Sequence, residues 1–174
     1  VIMDRNEKLE ELLGLFGDVS SVTLENYLKD GGFLTAPAST RFHGNYDGGL
    51  FDHSVAVMET LVKLTHDNNL KWQRKASPYV IGLFHDLCKC DQYLLLDGQY
   101  VYNDNLVLKG HGDKSVIILS QFMTLTEEEI LCIRYHMGAY EKDDWQVYDL
   151  AIRKYPNLLY VHLADMYASK VIGT

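Results

Sequence analysis

The sequence predicts an all-α protein, a compact helical bundle that carries one small β-hairpin near residues 93–102. Apolar residues recur every three or four positions through most of the chain, which is the period of an amphipathic helix. One stretch breaks that period, where two short apolar runs flank Asp97-Gly98, a favoured pair in tight hairpin turns. No internal repeat or low-complexity tract divides the sequence. We therefore expect a single domain over residues 1–174.

Two helices are expected before the first glycine-rich loop. The first covers about residues 4–16 and the second about residues 20–29, because apolar side chains fall on one face of each. Gly31 and Gly32 end the second helix. Glycine and proline punctuate residues 31–50, so we expect a loop there.

The later helices follow from the same period and from start signals. A long helix is expected over about residues 50–65, and Pro78 suits the first turn of a helix that runs to about Lys89. Thr126 and Glu129 have the spacing of a capping box, which indicates the start of a further helix. Beyond the hairpin, the predicted helices cover about residues 112–123, 127–138, 144–154 and 157–171.

The composition argues against several classes of protein. The formal charge of −8 disfavours a broad contact with long nucleic acid, which depends on basic patches. A small anionic substrate is still compatible, because bound cations reverse the local charge of a pocket. No apolar run reaches the roughly 18 residues of a membrane span, and the acidic start does not resemble a secretion signal. We expect a cytoplasmic protein, of a size that is compatible with a homodimer.

The three cysteines and two of the histidines are expected to have no role in catalysis. The three cysteines are an odd number, and Cys88 and Cys90 lack the spacing of zinc or thioredoxin motifs. We interpret these two and Cys132 as reduced, structural thiols. His66 lies in a polar segment and is expected at a solvated helix end. His162 is expected to make a hydrogen bond in the core.

Other histidines and aspartates interrupt apolar segments. His85 and Asp86 follow the apolar run 80–84, and Asp165 stands among apolar neighbours in the last predicted helix. Such groups are costly to bury unless they are paired, hydrogen-bonded or bound to metal. Adjacent residues on a helix point about 100° apart, so His85 and Asp86 share a site only if it lies between them. A metal pair bridged by the aspartate meets that demand.

The order of these residues resembles the HD superfamily of metal-dependent phosphohydrolases. Five short motifs carry the resemblance, which spans about residues 41–170. They are Gly48-Gly49-Leu50-Phe51-Asp52-His53-Ser54, His85-Asp86-Leu87-Cys88-Lys89, Gly110-His111-Gly112 with Ser115, His136-Met137-Gly138, and Ala164-Asp165-Met166-Tyr167-Ala168-Ser169. The resemblance implies an HD-domain helical bundle, with a metal-binding core over about residues 41–170 and the helices at about 4–29 before it.

The resemblance also implies the metal ligands. They are His53, His85, Asp86, His111, His136 and Asp165. Family members with all six commonly hold two ions, so Asp86 is expected to bridge two metals, the second of which His111 and His136 bind. Imidazole and carboxylate ligands suit divalent manganese, iron, nickel, cobalt or zinc, with magnesium as a further candidate. Metal-activated water then serves as the nucleophile, and no serine or cysteine is needed.

Two residues join Asp86 as candidates for catalysis. Lys89 follows Asp86 by about one helical turn, and in related enzymes this lysine binds phosphate or orients the reacting water. His43 precedes the first ligand in the sequence and is a candidate phosphate contact or general acid. Weaker candidates for substrate contacts are Lys114, Arg134, Tyr46 and Tyr140.

We expect hydrolysis of a phosphate ester or anhydride in a nucleotide or a related small phosphorylated substrate. Three alternatives stay open. The motifs around His53 and His136 also resemble bacterial 3′-to-5′ exoribonucleases, although the acidic charge argues against long RNA. The six-ligand pattern also serves HD-type di-iron oxygenases. A catalytically silent module that binds a nucleotide or a protein is the third alternative.

Overall fold

The computed structural model describes residues 4–138 and 145–174, apart from the side chain of Asp18. It confirms the predicted class, because helices dominate these residues and the strands form one two-stranded sheet. The α-helices are α1 (Arg5–Gly14), α2 (Val22–Asp30), α3 (Gly49–Asp67), α4 (Ser77–Phe84), α5 (Gly112–Leu119), α6 (Glu127–Arg134), α7 (Trp145–Lys154) and α8 (Asn157–Tyr167). The strands are β1 (Tyr93–Leu96) and β2 (Gln99–Tyr102). Within this part of the chain, no helix has the length and apolar character to cross a membrane.

One hydrophobic core joins the N-terminal helices to the others. Helix α3 packs against α4 and α8, and Val57 and Leu61 on its apolar face are fully buried. Leu9 of α1 and Leu24 of α2 are fully buried in the same cluster. Removal of such side chains from water is the main stabilising term in folding, so α1 and α2 are structural parts of the bundle.

The hairpin forms where the sequence predicts it. Tyr93 pairs with Tyr102, and Leu96 pairs with Gln99 beside the turn. Asp97 and Gly98 occupy that turn with φ angles of 50° and 78°. Positive φ at both turn residues matches the twist of paired strands, which is why this dipeptide predicted the hairpin.

The helix predicted to reach Lys89 is shorter than expected. Helix α4 ends at Phe84, and Leu87–Asp91 forms a 3-10 turn instead. Between them, Asp86 has φ −104° and ψ 18°, which is outside the helical region. The side chains of His85 and Asp86 are therefore not separated by the helical angle assumed from the sequence.

The helix predicted over residues 127–138 also ends early. It begins as expected, since Thr126 and Glu129 form the predicted capping box. Helix α6 ends at Arg134, and Tyr135 has φ −107° and ψ 18°, close to the values for Asp86. Helix α4 thus ends one residue before His85 and α6 ends two residues before His136, and the same backbone break recurs.

Two glycines allow neighbouring helices to approach each other closely. A Cβ atom on Gly82 of α4 would lie 2.4 Å from the Cα of Met58 in α3. A Cβ on Gly112 at the start of α5 would lie 2.2 Å from the main-chain oxygen of Arg134 at the end of α6. Both distances are too short for any side chain larger than hydrogen, so glycine permits these contacts.

Candidate metal centre

The structure brings all six predicted ligands into one cluster, where the ends of α4 and α6 meet α3, α5 and α8. They are His53 in α3, His85 and Asp86 after α4, His111 before α5, His136 after α6, and Asp165 in α8. Three overlapping sets of ligand atoms, each set within 4.8 Å, cover these residues and also include Cys88. His53, His85 and His136 are fully buried. Residues far apart in the sequence are thus collected in the interior.

Main-chain oxygens orient three of the imidazoles. The Nδ1 atoms of these rings lie 2.7–3.0 Å from such oxygens. The pairs are His53 with Thr174, His85 with Gly82, and His136 with Ile133. A main-chain oxygen only accepts, so each Nδ1 carries the proton and each Nε2 keeps its lone pair when the ring is neutral. His85 and His136 are held in the same way, each by a hydrogen bond from Nδ1 to the main-chain oxygen of the third preceding residue.

Asp86 lies between two pairs of imidazoles. Its Oδ2 atom is 3.5 Å from Nε2 of His85 and 3.8 Å from Nε2 of His53. Its Oδ1 atom is 3.0 Å from Nε2 of His111 and 3.5 Å from Nε2 of His136. Each oxygen of the carboxylate therefore faces a different pair of rings.

The remaining contacts of the cluster bring further donor atoms together. The Nε2 atom of His53 lies 3.2 Å from Oδ1 of Asp165. The Nε2 atoms of His111 and His136 face each other at 3.1 Å. Neighbouring ligand atoms around an ion with bonds of about 2.1 Å are separated by about 3 Å, so these spacings are those of a metal-binding cluster.

Several of these buried atoms have no hydrogen bond to any residue that the structure describes. They are Nε2 of His53, Nε2 of His85 and Oδ1 of Asp86. A buried polar atom without a partner carries the whole penalty of lost hydration. A bound cation removes that penalty, and imidazole with carboxylate is a donor set for transition metals. The residues present therefore fit a divalent metal ion.

The carboxylates of the cluster are held in the charged form. Burial acts to raise the pKa of Asp86, but Lys89 and the nearby imidazoles hold that pKa well below its usual range. Burial also acts to raise the pKa of Asp165, but the contact with His53 lowers it overall. Burial lowers the pKa of His85 to about 3, which keeps that ring in the neutral form that binds metals. Burial acts to lower the pKa of His111, but Asp86 raises it to about 10.

A pocket of about 320 Å³ opens onto the cluster. Its polar lining comprises His43, Asp86, Lys89, His111, His162, Asp165, Ser169 and Lys170. Phe42, Met137 and Met166 contribute apolar surface. This volume is at the lower end of the range for small-molecule sites, so the pocket suits a compact ligand.

Both predicted catalytic residues outside the ligand set line this pocket. The Nζ atom of Lys89 is buried and lies 2.7 Å from Oδ2 of Asp86. The ring centre of His43 lies 4.8 Å from that of His53, and neither ring nitrogen of His43 has a hydrogen bond. Burial lowers the pKa of His43 to about 4. Both side chains therefore have hydrogen-bonding capacity that the described residues do not use.

The weaker candidate cations do not line the pocket. Lys114 is buried, and its Nζ atom forms an ion pair with Asp91 in the 3-10 turn. Arg134 has its Nε atom 2.7 Å from Oδ1 of Asp113. Lys114 thus ties α5 to the 3-10 turn, and Arg134 ties the end of α6 to α5.

The other aromatic and histidine candidates lie in different settings. Tyr46 lines a second pocket, formed with the hairpin, and Tyr140 lies outside the described residues. The side chain of His66 is 91% exposed, as expected for a solvated helix end. His162 donates from Nδ1 to the main-chain oxygen of His136 over 2.7 Å. The hydrogen bond is the one expected, but His162 is only half-buried and lines the pocket instead of the core.

Cys88 is a neighbour of the cluster that the sequence analysis missed. Its Sγ atom lies 3.5 Å from Nδ1 of His111. Cys88 lies in the 3-10 turn that replaces the predicted end of α4, and this turn places its sulfur beside His111. A further omission is Phe42, which is 76% exposed beside His43 on the rim of the pocket. The sequence feature that could have indicated its role is its position directly before His43, a candidate catalytic residue.

Comparison with known proteins gives one match. A family model described as HD domain matches residues 50–169. The matched range contains all six clustered residues and Lys89, whereas His43, α1 and α2 precede it. No curated protein and no solved structure gives a significant match to the chain.

Proposed function

The chain belongs to the HD domain family of metal-dependent hydrolases, and we propose that it cleaves phosphate ester or anhydride bonds in a nucleotide or a related small phosphorylated compound. One observation carries the proposal: both carboxylate oxygens of Asp86 lie within 3.8 Å of imidazole nitrogens. In this proposal, residues of about 41–170 form the functional unit, and α1 and α2 complete its core.

Two ions are proposed because the ligands fall into two sets that share Asp86. The first set comprises His53, His85 and Asp165, and the second comprises His111 and His136. Manganese, iron, cobalt, nickel and zinc all suit these donors. Bound divalent ions of this kind lower the pKa of water and neutralise charge that develops on phosphoryl oxygens.

Lys89 and His43 are the proposed protein contacts to the substrate. Lys89 pairs with Asp86 through Nζ and has further N–H donors for a phosphoryl oxygen in the pocket. The ring of His43 always carries at least one N–H, and no described protein group accepts its hydrogen bond. We therefore assign it to a phosphoryl oxygen or to the leaving group.

The pocket favours a compact substrate with a flat or apolar part. Phe42 exposes most of its ring beside the polar lining, and Met137 and Met166 add apolar surface. Aromatic rings of this kind stack on nucleobases. The formal charge of −8 favours a small nucleotide over long nucleic acid.

A phosphate-release screen tests this function. The Mn²⁺-loaded protein is assayed on nucleoside mono-, di- and triphosphates, cyclic nucleotides and bis(p-nitrophenyl) phosphate. We expect release from a subset, and a fall in kcat/KM of about 100-fold in Lys89→Met, because a preorganised charge at the phosphoryl group is lost. Lys63→Met is the matched control, since that lysine is exposed on α3 and pairs with Asp67.

Three results would redirect the assignment. The absence of release from every compound by metal-loaded protein would contradict the proposed hydrolase. Oxygen consumption by iron-loaded protein, measured with an oxygen electrode, would favour the oxygenase alternative. Shortening of labelled single-stranded RNA without cleavage of nucleotides would favour the exoribonuclease alternative.

A further inference from the structure

The four imidazoles of the metal centre differ in what holds their Nδ1 atoms. Main-chain oxygens hold the rings of His53, His85 and His136. For His111, the atom opposite Nδ1 is the sulfur of Cys88, at 3.5 Å. Among the described residues, His111 is therefore the clustered imidazole that depends on a side chain for its orientation.

Cys88 is itself held firmly. It is fully buried, and its main-chain N–H donates to the hydroxyl of Ser115 over 3.0 Å. Ser115 lies one turn after His111 in α5 and is also fully buried. Lys114 on the same helix pairs with Asp91 at the end of the 3-10 turn. These two contacts join the turn to α5 and hold the main chain of Cys88 close to His111.

The two nitrogens of His111 point to different partners. Nε2 lies 3.0 Å from Oδ1 of Asp86 and 3.1 Å from Nε2 of His136. Nδ1, on the other edge of the ring, faces Cys88. A sulfur at Nδ1 is therefore placed to orient the ring, while Nε2 is placed to bind an ion.

We propose that Cys88 is a positioning residue, whose sulfur accepts the Nδ1–H of His111 and keeps the lone pair of Nε2 directed at Asp86 and His136. The inference rests on the proposed metal-dependent function. Groups that hold a metal-bound imidazole fix its tautomer and its ring orientation, and their loss typically lowers metal affinity by about 10- to 100-fold. The effect falls on the ion held by His111, and the ion held by His53, His85 and Asp165 keeps its affinity.

Metal titration of Cys88 variants tests this assignment. Binding of Co²⁺ and Mn²⁺ to the whole purified chain is measured by calorimetry and by elemental analysis after dialysis. In Cys88→Ala, we expect one of two ions to bind about 10- to 100-fold more weakly and the other to be unchanged. Cys88→Ser, whose hydroxyl also accepts a hydrogen bond, recovers part of the loss. Cys132→Ala is the matched control, because that thiol is equally buried and lies in α6.

The absorption spectrum of the Co²⁺-loaded protein separates positioning from direct ligation. We expect no sulfur-to-cobalt charge-transfer band in the wild-type protein. Such a band, lost in Cys88→Ala, would show that the sulfur binds the ion and would overturn the positioning role. Equal affinity for both ions in wild-type and Cys88→Ala protein would also overturn it, with the metal-dependent function left standing. A wild-type chain that binds no metal would overturn both.

Discussion

Helices α4, α6 and α8 carry buried polar groups near both of their ends, and the two ends differ in how completely those groups are paired. Near the N-terminal ends lies a glutamate network, made up of Gln73, Arg74, Ser77, Thr126, Glu128, Glu129 and Asn157. Near the C-terminal ends lies the candidate metal centre. The first is saturated with hydrogen bonds, and the second contains buried atoms that have none among the described residues.

Glu129 illustrates the saturated end. Its Oε1 atom accepts from Arg74 over 2.6 Å and from Ser77 over 2.8 Å. Its Oε2 atom accepts from the main-chain N–H of Thr126 over 2.9 Å. A carboxylate near helix N-termini is also favoured by the helix dipole. Every contact of Glu129 is internal to the fold.

The comparison separates two reasons for burying charge. Glu128 is also satisfied by protein groups, since it accepts from Gln73 and Asn157 over 2.7 and 2.9 Å. In Asp86, by contrast, the Oδ1 atom has no hydrogen bond to any described residue. The Nε2 atoms of His53 and His85 likewise have none among these residues. Saturation indicates a structural role, and unused lone pairs in a cluster indicate a ligand that comes from outside the chain.

Replacement of Asp86 is expected to have the largest effect. Asp86→Ala removes the carboxylate that both sets of imidazoles share, so we expect kcat/KM to fall at least about 1000-fold, since metal ions contribute several kcal/mol to the transition state. The circular dichroism spectrum is expected to stay helical, because the glutamate network and the core are intact. Full activity of a folded Asp86→Ala protein would contradict the assignment of this cluster as the active centre.

Replacement of Glu129 is expected to lower the stability of the fold and to leave metal binding unchanged. Glu129→Ala leaves Arg74, Ser77 and a main-chain N–H without their partner in the interior, so the free energy of unfolding should fall by about 3–5 kcal/mol. Metal bound per folded chain should not change. Denaturant unfolding and elemental analysis measure the two quantities. Glu127→Ala is the control, an exposed glutamate of the same helix turn that pairs with Lys154, and little change is expected there.

Added metal is expected to stabilise the protein by binding near the C-terminal ends of α4, α6 and α8, and not at the glutamate network. At a free Mn²⁺ concentration of about 100 times Kd, we expect the free energy of unfolding to rise by about 2.7 kcal/mol for each ion bound. The same increase is expected in Glu129→Ala, and none in Asp86→Ala. A chelator should reverse it. An equal increase in the Asp86→Ala protein would mean that Mn²⁺ binds somewhere else.

A smaller effect is expected at the contact between α5 and α6. Gly112→Ala places a Cβ against the main-chain oxygen of Arg134, so we expect a loss of about 1–3 kcal/mol in the free energy of unfolding and weaker binding of one ion. Gly14→Ala is the control, because a Cβ there meets nothing within 4 Å. It should stabilise α1 by up to about 1 kcal/mol. Unchanged metal affinity in folded Gly112→Ala protein would mean that the close contact between α5 and α6 is not needed for metal binding.

Much of the architecture could be predicted because it depends on local signals. The hairpin follows from Asp97-Gly98, and the capping box at Thr126 follows from a spacing of three residues. The clustering of His53, His85 and Asp165 could be predicted only through the resemblance to a family, since nothing local brings such distant positions together. The structure confirms the clustering, and their role as ligands remains a proposal.

The end of α4 and the surroundings of Cys88 and Lys114 depend on tertiary packing, which no local sequence pattern indicates. Helical propensity continues through His85 and Asp86, yet α4 ends at Phe84, where the imidazole bonds back to the main-chain oxygen of Gly82. For that reason the sequence could not place Cys88 against His111. Lys114 resembled a substrate contact because it follows a ligand, but its ion pair with Asp91 lies within the fold.

Elemental analysis of the purified chain, repeated after reconstitution with Mn²⁺ and dialysis, tests the central claim most directly. The two sets of ligands that share Asp86 predict about two transition-metal ions per chain. A folded chain that retains no metal under either condition would contradict the account, and the unsatisfied atoms around Asp86 would then need another partner.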